Sequence, residues 1–185
     1  MSEFTIHTTA TAPDAAREAL RALEQNVGFI PNLAGTIAGS PVALEGFVAL
    51  QSALRRSALT GVEREVVGLT VSYANTCEYS MAAHSAFAAA NGASEDVLDA
   101  LRSGDALRDE RVEALRAFAA GVVAARGHVP SDRLAAFERA GYTAEQALEV
   151  VTQVAYTTLA NLVANLARTP VDDAFAARAW SPAAA

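Results

Sequence analysis

A stretch rich in small and apolar residues, 60–92, constrains the fold more than any other part of the chain. It opens with a capping-box pattern at Thr60 and Glu63, in which each side chain bonds the other residue's backbone N–H group at a helix start. The residues that follow are apolar almost all round, as in a helix buried in the middle of a bundle. They are Val66, Val67, Leu69, Thr70, Val71 and Tyr73. The pattern therefore predicts other helices on every side of this one.

A break divides this stretch into two predicted helices. Asn75 and Thr76 are good N-cap residues, so we expect a second helix to start near Cys77 and to end by Gly92. The break matters for the position of one carboxylate. On a single straight helix, Glu65 would point about 120° away from Cys77, at about 100° per residue. Two helices instead allow Glu65 to face the second helix across the turn.

Three side chains of the second helix have the spacing of a reactive site. Cys77, Ser80 and His84 occupy positions i, i+3 and i+7, which places them along one face of a helix. A thiol, a hydroxyl and an imidazole on one stripe can pass a proton among themselves. The free N–H groups at a helix start favour a thiolate, and a carboxylate such as Glu65 would orient the imidazole. We therefore take Cys77, Ser80, His84 and Glu65 as the candidate catalytic residues.

The composition of the chain favours one all-α domain. Its 185 residues suit a single domain, 1–185, with a core of ordinary size. Alanine, leucine and valine dominate and aromatic residues make up only 6% of the chain, which is typical of a helical fold. With one cysteine, no intramolecular disulfide can form, so we expect a cytoplasmic protein with a free thiol.

The charge and hydropathy of the chain argue against two classes of partner. A net charge of −7 is unlike the basic surface of a nucleic-acid-binding protein. No apolar run approaches the roughly 18–20 residues of a membrane span. The first residues also lack the basic and apolar regions of a signal peptide. We therefore expect neither a nucleic acid nor a membrane as partner.

Helix-start residues and apolar periodicity predict about seven or eight helices. Outside 60–92, the predicted helices are about 14–27, 41–57, 94–103, 109–126, 131–140 and 144–167. Residues 28–33 are expected to form an apolar turn. The tail from Thr169, which ends in a run of alanines, is expected to fray or to pack on a partner subunit. Asn161 and Asn165 interrupt an apolar stripe in the long last helix, so we expect them to form hydrogen bonds at a helix or subunit contact.

The order Glu65, eleven residues, Cys77, two residues, Ser80, three residues, His84 resembles the signature of the alkylhydroperoxidase D / carboxymuconolactone decarboxylase superfamily. The flanking residues that strengthen the match are Ser72, Asn75, Tyr79, Ala83, Ser85 and Gly92. The resemblance implies a helical bundle of the alkylhydroperoxidase D type. In the family's peroxidases, a glutamate and a histidine relay a proton to the second cysteine of a Cys-x-x-Cys pair, and the first cysteine then closes a disulfide. Ser80 stands in place of that second cysteine, so the two-cysteine cycle is impossible within one chain.

Three hypotheses about function remain open at this point. In the first, the protein is a peroxidase-related antioxidant in which Cys77 itself reacts with a hydroperoxide, forms a sulfenic acid and is reduced by an external thiol. In the second, His84 and Glu65 perform acid–base chemistry on a small carbonyl or lactone compound, as the resemblance to the decarboxylases implies. In the third, the pocket is not catalytic and the protein is a small-molecule-binding or structural oligomer.

The resemblance also implies a homo-oligomer, either a dimer, a trimer or a hexamer, and the broad apolar stripes on the predicted helices agree with it. We expect no cofactor and no metal ion. Cys77 and His84 are about two helical turns apart, too far to ligate one ion without other donors. The expected partners are therefore a small-molecule substrate, a thiol reductant and further copies of the chain.

Overall fold

The computed structural model describes residues 4–182, which form an all-α fold. Within this range there are nine α-helices, one 3-10 helix and no β-strand. The helices are α1 (Asp14–Val27), α2 (Asn32–Ile37), α3 (Pro41–Leu54), α4 (Gly61–Ala74), α5 (Glu78–Ala90), α6 (Glu95–Ser103), α7 (Glu110–Ala124), α8 (Ser131–Arg139), α9 (Ala144–Ala167) and the 3-10 helix (Asp173–Arg178). None of the helices in residues 4–182 has both the length and the apolar character that a bilayer span requires.

The central position of α4 confirms the prediction from its apolar pattern. It packs against α5, α6, α7 and α9, and its residues from Val66 to Ser72 are buried. Both halves of the capping box are present, because the Thr60 hydroxyl accepts from the N–H of Glu63 at 3.2 Å and the Glu63 carboxylate accepts from the N–H of Thr60 at 2.8 Å. Only Tyr73, near the end of the helix, departs from the prediction, since it is 41% exposed.

Two clusters of buried side chains make up the core. The first gathers residues from α1, α2 and α3 with the start of α5 and the second half of α9. The second lies among α4, α6, α7 and α8, where the rings of Phe118, Phe137 and Tyr142 stack at centroid distances of 4.4 and 4.6 Å. Because α5 contributes residues to both clusters, its orientation relative to α4 is fixed from both sides.

The predicted break between α4 and α5 is held by the two asparagines of α9. Thr76 has a left-handed backbone with φ of 50°. The side-chain amide of Asn161 donates to the Ser72 hydroxyl at 3.2 Å and accepts from the Asn75 amide at 3.0 Å. Asn165 donates to the carbonyl of Asn75 at 3.0 Å. The prediction that these asparagines bond at a helix contact is confirmed, and the contact lies within one chain.

Two segments differ from the sequence-based expectations. The apolar turn leads directly into α2, which begins at Asn32 because the Asp172 carboxylate accepts from the N–H of that residue at 2.9 Å. The expectation that the tail frays or packs on a partner is wrong for residues 169–182. They fold onto their own chain, where Phe175 is buried and the indole N–H of Trp180 donates to the carbonyl of Arg102 at 2.9 Å. The terminal alanines 183–185 lie outside the described residues.

A buried carboxylate, Glu63, joins three parts of the fold. It is 3% exposed, accepts from the Tyr142 hydroxyl at 2.8 Å and forms an ion pair with Arg111. The Arg111 guanidinium also lies 4.1 Å from the centre of the Tyr142 ring. Burial raises the pKa of Glu63, but the hydrogen bonds from Thr60, Tyr142 and Arg111 outweigh burial and hold the pKa below its ordinary value of 4.5. The charged form is therefore the one that stabilises the fold.

We expect Glu63→Gln to lower the free energy of unfolding by about 2 kcal/mol at neutral pH, since hydrogen bonds to a charged group contribute about 1.5–3 kcal/mol. The pKa of Glu63 is lower in the folded protein than in the unfolded chain. The contribution of Glu63 to the free energy of unfolding is therefore complete above pH 4.5, and it is lost as the pH falls through the pKa of the folded protein. Urea denaturation from about pH 8 to about pH 3 should show the two stabilities converging in acid.

The exposed Glu18 on α1 offers a matched control, because Glu18→Gln should change little at any pH. A difference between wild type and Glu63→Gln that stays constant down to the acid limit would contradict the role given to the Glu63 charge.

Candidate active site

His84 and Glu65 are in direct contact across the turn, as the break predicted. The Nδ1 atom of His84 lies 2.7 Å from Oε2 of Glu65, and the two side chains are 11% and 16% exposed. An ionised carboxylate can only accept, so Nδ1 carries the hydrogen. The other ring nitrogen, Nε2, is then the atom that can take up a proton. Glu65 thus fixes both the orientation and the tautomer of the imidazole.

Gly68 makes this contact possible, and the sequence-based prediction missed it. A Cβ at this position would lie 2.7 Å from both Nδ1 and Cε1 of His84, closer than real Cβ contacts. The imidazole therefore packs directly against the backbone of α4, about one turn from Glu65. Glycine inside a helix costs about 1 kcal/mol relative to alanine. A glycine within the otherwise apolar α4 was the local indication of such a close approach.

Cys77 occupies a different position from the other candidates. It is the N-cap of α5, and its thiol is free and fully buried in the first core cluster. Its backbone is extended, with φ of −99° and ψ of 98°. Helical spacing therefore does not fix the direction of its side chain, and Cys77 is not among the residues that line the cavity beside Ser80 and His84. The structure brings Glu65, Ser80 and His84 towards one cavity system and leaves Cys77 in the core.

A small inner cavity of about 70 Å³ opens beside Ser80 and His84. Its apolar lining residues are Leu23, Val27, Pro31, Leu33, Ala34, Phe47, Ala83, Phe87, Ala160 and Phe175. Ser80 is 2% exposed and lines this cavity. Since an apolar cavity of about 150 Å³ holds one benzene molecule, the inner cavity suits a group of a few heavy atoms. A serine hydroxyl on this wall can donate a hydrogen bond to such a group.

A larger outer cavity of about 430 Å³ adjoins the inner one. Val27, Gln51, His84, Phe87 and Tyr156 line both. The outer cavity is also lined by residues that do not reach the inner one, namely Asn26, Leu54, Arg55, Arg64, Glu65, Asn91 and Gln153. His84 therefore lies at the neck between an apolar chamber and a polar one.

Tyr156 adds a hydroxyl to this neck. Its ring stacks on Phe47 at 4.9 Å, and its oxygen accepts from the side-chain amide of Gln51 at 3.4 Å. Burial raises the pKa of Tyr156, and the negative charge of Glu65 raises it further. The hydroxyl therefore stays protonated near neutral pH and can donate a hydrogen bond to a ligand.

A polar link next to Ser80 fixes the wall of the inner cavity. The Tyr79 hydroxyl donates to Oδ2 of Asp172 at 2.7 Å, while Oδ1 of Asp172 accepts from the N–H of Asn32. Burial raises the pKa of Tyr79, and so does the hydrogen bond to Asp172. The same segment places Phe175 against Phe29 and Phe87 at centroid distances of 5.7 and 5.3 Å.

Within residues 4–182, no three histidine, cysteine, aspartate or glutamate side chains are grouped as the ligands of a metal ion would be. The side chains gathered at the two cavities include an imidazole, a carboxylate and two hydroxyls.

Comparison with known proteins gives one family and several solved structures. The model of the carboxymuconolactone decarboxylase family matches residues 41–122. An alkylhydroperoxidase AhpD core, an uncharacterized peroxidase-related protein from Ralstonia eutropha JMP134, is 29% identical, with a TM-score of 0.84 over 94% of both chains. An uncharacterized peroxidase-related protein from Silicibacter sp. TM1040 is 20% identical, with a TM-score of 0.80 over 94% of this chain and 92% of the other.

A cysteine-to-alanine variant of the debrominase Bmp8, in complex with 2,3,4-tribromopyrrole, has the same fold at 20% identity, with a TM-score of 0.80 over 96% of both chains. No curated protein sequence matches the chain.

The matched region runs from the start of α3 into α7 and contains all four candidate residues, Glu65, Cys77, Ser80 and His84. The structural match extends this likeness over nearly the whole length of the chain. The chain is therefore similar to the carboxymuconolactone decarboxylase family over residues 41–122, and to an alkylhydroperoxidase AhpD core in its fold over nearly its whole length.

Proposed function

We propose that the protein is a peroxidase-related member of the superfamily that acts on a small, mostly apolar carbonyl or lactone compound by acid–base chemistry. The observation that supports this proposal most directly is the 2.7 Å contact between His84 and Glu65 at the neck of the two cavities. In this proposal, Nε2 of His84 takes a proton from the substrate and later returns it to another atom. Glu65 stabilises the imidazolium that forms in between.

The hydroxyls of Ser80 and Tyr156 have a role in the same reaction. Removal of a proton from the carbon next to a carbonyl group places negative charge on the carbonyl oxygen. Both hydroxyls line the inner cavity, and either can donate to that oxygen. The mostly apolar lining lowers the local dielectric constant, which strengthens these interactions. Ser80 is thus a donor in this proposal, whereas a cysteine in its place would be a nucleophile.

Peroxide reduction at Cys77 is the second candidate function. It is supported by the place of Cys77 at the start of α5, and by the 29% identity to a peroxidase-related protein. In this reaction the thiolate attacks one peroxide oxygen, the O–O bond breaks and the alcohol leaves, which gives a sulfenic acid that two external thiols reduce. Because Cys77 is fully buried, the reaction requires a local opening of the first core cluster.

The fold by itself does not choose between these reactions. The debrominase Bmp8 has this fold at 20% identity, so one helical scaffold is compatible with more than one chemistry. The choice depends on which side chains face the cavity, and here those are Ser80 and His84.

We also propose that the chain forms a homo-oligomer through the outer faces of α3 and α9. Four apolar residues of α9 point away from the core and are 45–71% exposed, namely Leu148, Val151, Leu162 and Leu166. The intervals between these four residues are nearly the same whether α9 is followed from its N-terminus or from its C-terminus. Two antiparallel copies of α9 would therefore bring Leu148 of one copy opposite Leu166 of the other. On the adjacent α3, a Cβ added to Gly46 would meet nothing within 4 Å. Packing within the chain does not explain this glycine, but close approach of a second chain does.

Acid–base catalysis predicts a specific order among variants. We expect the protein to catalyse hydrogen–deuterium exchange at the carbon next to the carbonyl group of small ketones and lactones, measured by NMR. His84→Gln should lower the rate about 100-fold or more, because it removes the base. Glu65→Gln should also lower the rate, since an amide can hold the ring in the wrong tautomer and cannot stabilise the imidazolium.

Cys77→Ala should retain the exchange activity, because Cys77 does not line the inner cavity. His128→Gln should retain it as well, because His128 lies exposed in the loop before α8. Equal activity in wild type and His84→Gln, or loss of activity in Cys77→Ala, would contradict the acid–base proposal.

Brief exposure to hydroperoxide tests the second candidate. Because the thiol of Cys77 is fully buried, we expect slow sulfenic acid formation in the wild type, detected as a trapped adduct by intact-protein mass spectrometry. Ser80→Cys should react much faster, since it places a thiol on the cavity wall one turn from His84.

The double variant with Cys77→Ala in addition to Ser80→Cys separates the two thiols, because it should still form the adduct but not a disulfide. Rapid, pH-dependent trapping at Cys77 in the wild type would instead favour the peroxidase.

Light scattering after size-exclusion chromatography tests the oligomer. We expect a mass that is a multiple of 19.2 kDa, and a shift towards the single chain in Leu162→Glu, because a buried interfacial charge is costly. Leu134→Glu, at a residue that is 38% exposed on α8, which packs against α7, should leave the mass unchanged. A wild-type mass of one chain would exclude the proposed interface.

A further inference from the structure

The outer cavity carries positive charge in an otherwise acidic protein. Arg55, which follows the last turn of α3, and Arg64, in the first turn of α4, both line it, although the chain has a net charge of −7. Neither guanidinium forms an ion pair with any residue between 4 and 182, whereas several other arginines do. The paired ones are Arg17, Arg108, Arg111, Arg116 and Arg178. The two cavity arginines are thus available to an anion from solution.

The hydrogen-bond donors of these arginines are mostly free. Arg64 donates through one nitrogen to the carbonyl of Leu59 at 2.7 Å, which holds the side chain in place. Its other N–H groups remain available to a ligand. Arg55 is close enough to Tyr156 for its charge to oppose the rise in the pKa of that hydroxyl. Arg55 therefore lies within electrostatic reach of the neck.

The acid in the same cavity limits what the arginines can hold. Glu65 is bonded to His84 and forms no ion pair with Arg55 or Arg64. Two guanidiniums and one carboxylate give the cavity a net charge of about +1, which suits a monoanion better than a dianion such as a phosphate monoester. The planar guanidinium also matches a carboxylate through two parallel hydrogen bonds.

We propose that the ligand of this site is a small monocarboxylate. Its carboxylate binds Arg55 and Arg64 in the outer cavity, and its apolar part passes His84 into the inner cavity. The neck between a charged chamber and an apolar one selects this amphipathic shape. The binding mode stands without any assumption about the reaction, while the statement that the ligand is a substrate rests on the function proposed above.

The position of the arginines assigns different roles to two groups of the ligand. A carboxylate held in the outer cavity is an anchor, so it is retained in the product. The reacting carbon is one that lies at the neck, next to Nε2 of His84. Binding energy at the arginines then positions this carbon, which is how remote groups of a substrate accelerate a reaction.

Isothermal titration calorimetry with butanoate, hexanoate and octanoate tests the proposal, with the alcohols and methyl esters of the same chain lengths as uncharged probes. We expect at least one carboxylate to bind the wild type about tenfold or more tightly than its alcohol. Arg55→Gln and Arg64→Gln should each weaken carboxylate binding about tenfold or more and leave alcohol binding unchanged.

Arg56→Gln is the matched control. Arg56 is adjacent to Arg55 in sequence and exposed, but it does not line the outer cavity and donates to the carbonyl of Ser52 instead. It should bind carboxylates as the wild type does. Circular dichroism and thermal unfolding should show that all three variants are folded.

Three results would overturn the proposal: equal affinity for carboxylate and alcohol, carboxylate affinity unchanged in both cavity variants, or no binding of any probe at millimolar concentration. The outcome is separate from that of the proposed function. Arginine-dependent carboxylate binding with exchange activity that does not need His84 would refute only the acid–base proposal. Exchange activity that needs His84 but has no preference for carboxylates would refute only the carboxylate site.

Discussion

The reversal of the chain between α4 and α5 is the constraint on which the site depends. Asn161 of α9 bonds Ser72 in the last turn of α4 and Asn75 at the start of the reversal, and Thr76 adopts a left-handed backbone within it. Without the reversal, Glu65 would lie on a different side of the helix from the residues of α5. With it, the carboxylate meets His84, and Gly68 gives the ring the room that it needs. The hydrogen bonds from α9 thus hold the turn that brings Glu65 and His84 together, although neither of these residues lies on α9.

Much of the fold could be predicted because its determinants are local. The capping box at Thr60 forms as its sequence predicts, and most helices begin and end within a few residues of the predicted bounds. The short helix α2 and the C-terminal 3-10 helix were not predicted. The cap of α2 comes from Asp172, which is 140 residues away from Asn32, and local patterns carry no information about such a contact.

The same distinction applies to the site. The pairing of Glu65 with His84 followed from the break and from the resemblance to a family. The separation of Cys77 from Ser80 did not, because an N-cap residue has an extended backbone and leaves the periodicity of the helix that it begins. Arg55 and Arg64 were missed because two arginines on different helices have no sequence pattern. Only the tertiary arrangement places them at one cavity.

The C-terminal segment has a consequence for the dynamics of the inner cavity. Phe175 forms part of its wall, and this segment is joined to the start of α2 and to α5 by the carboxylate of Asp172. A short 3-10 helix held by a few side chains is the kind of unit that opens without global unfolding. Each such opening would admit water to the inner cavity and expose the carboxylate of Asp172. The residence time of a ligand in the inner cavity is therefore tied to the protection of one short segment against hydrogen exchange.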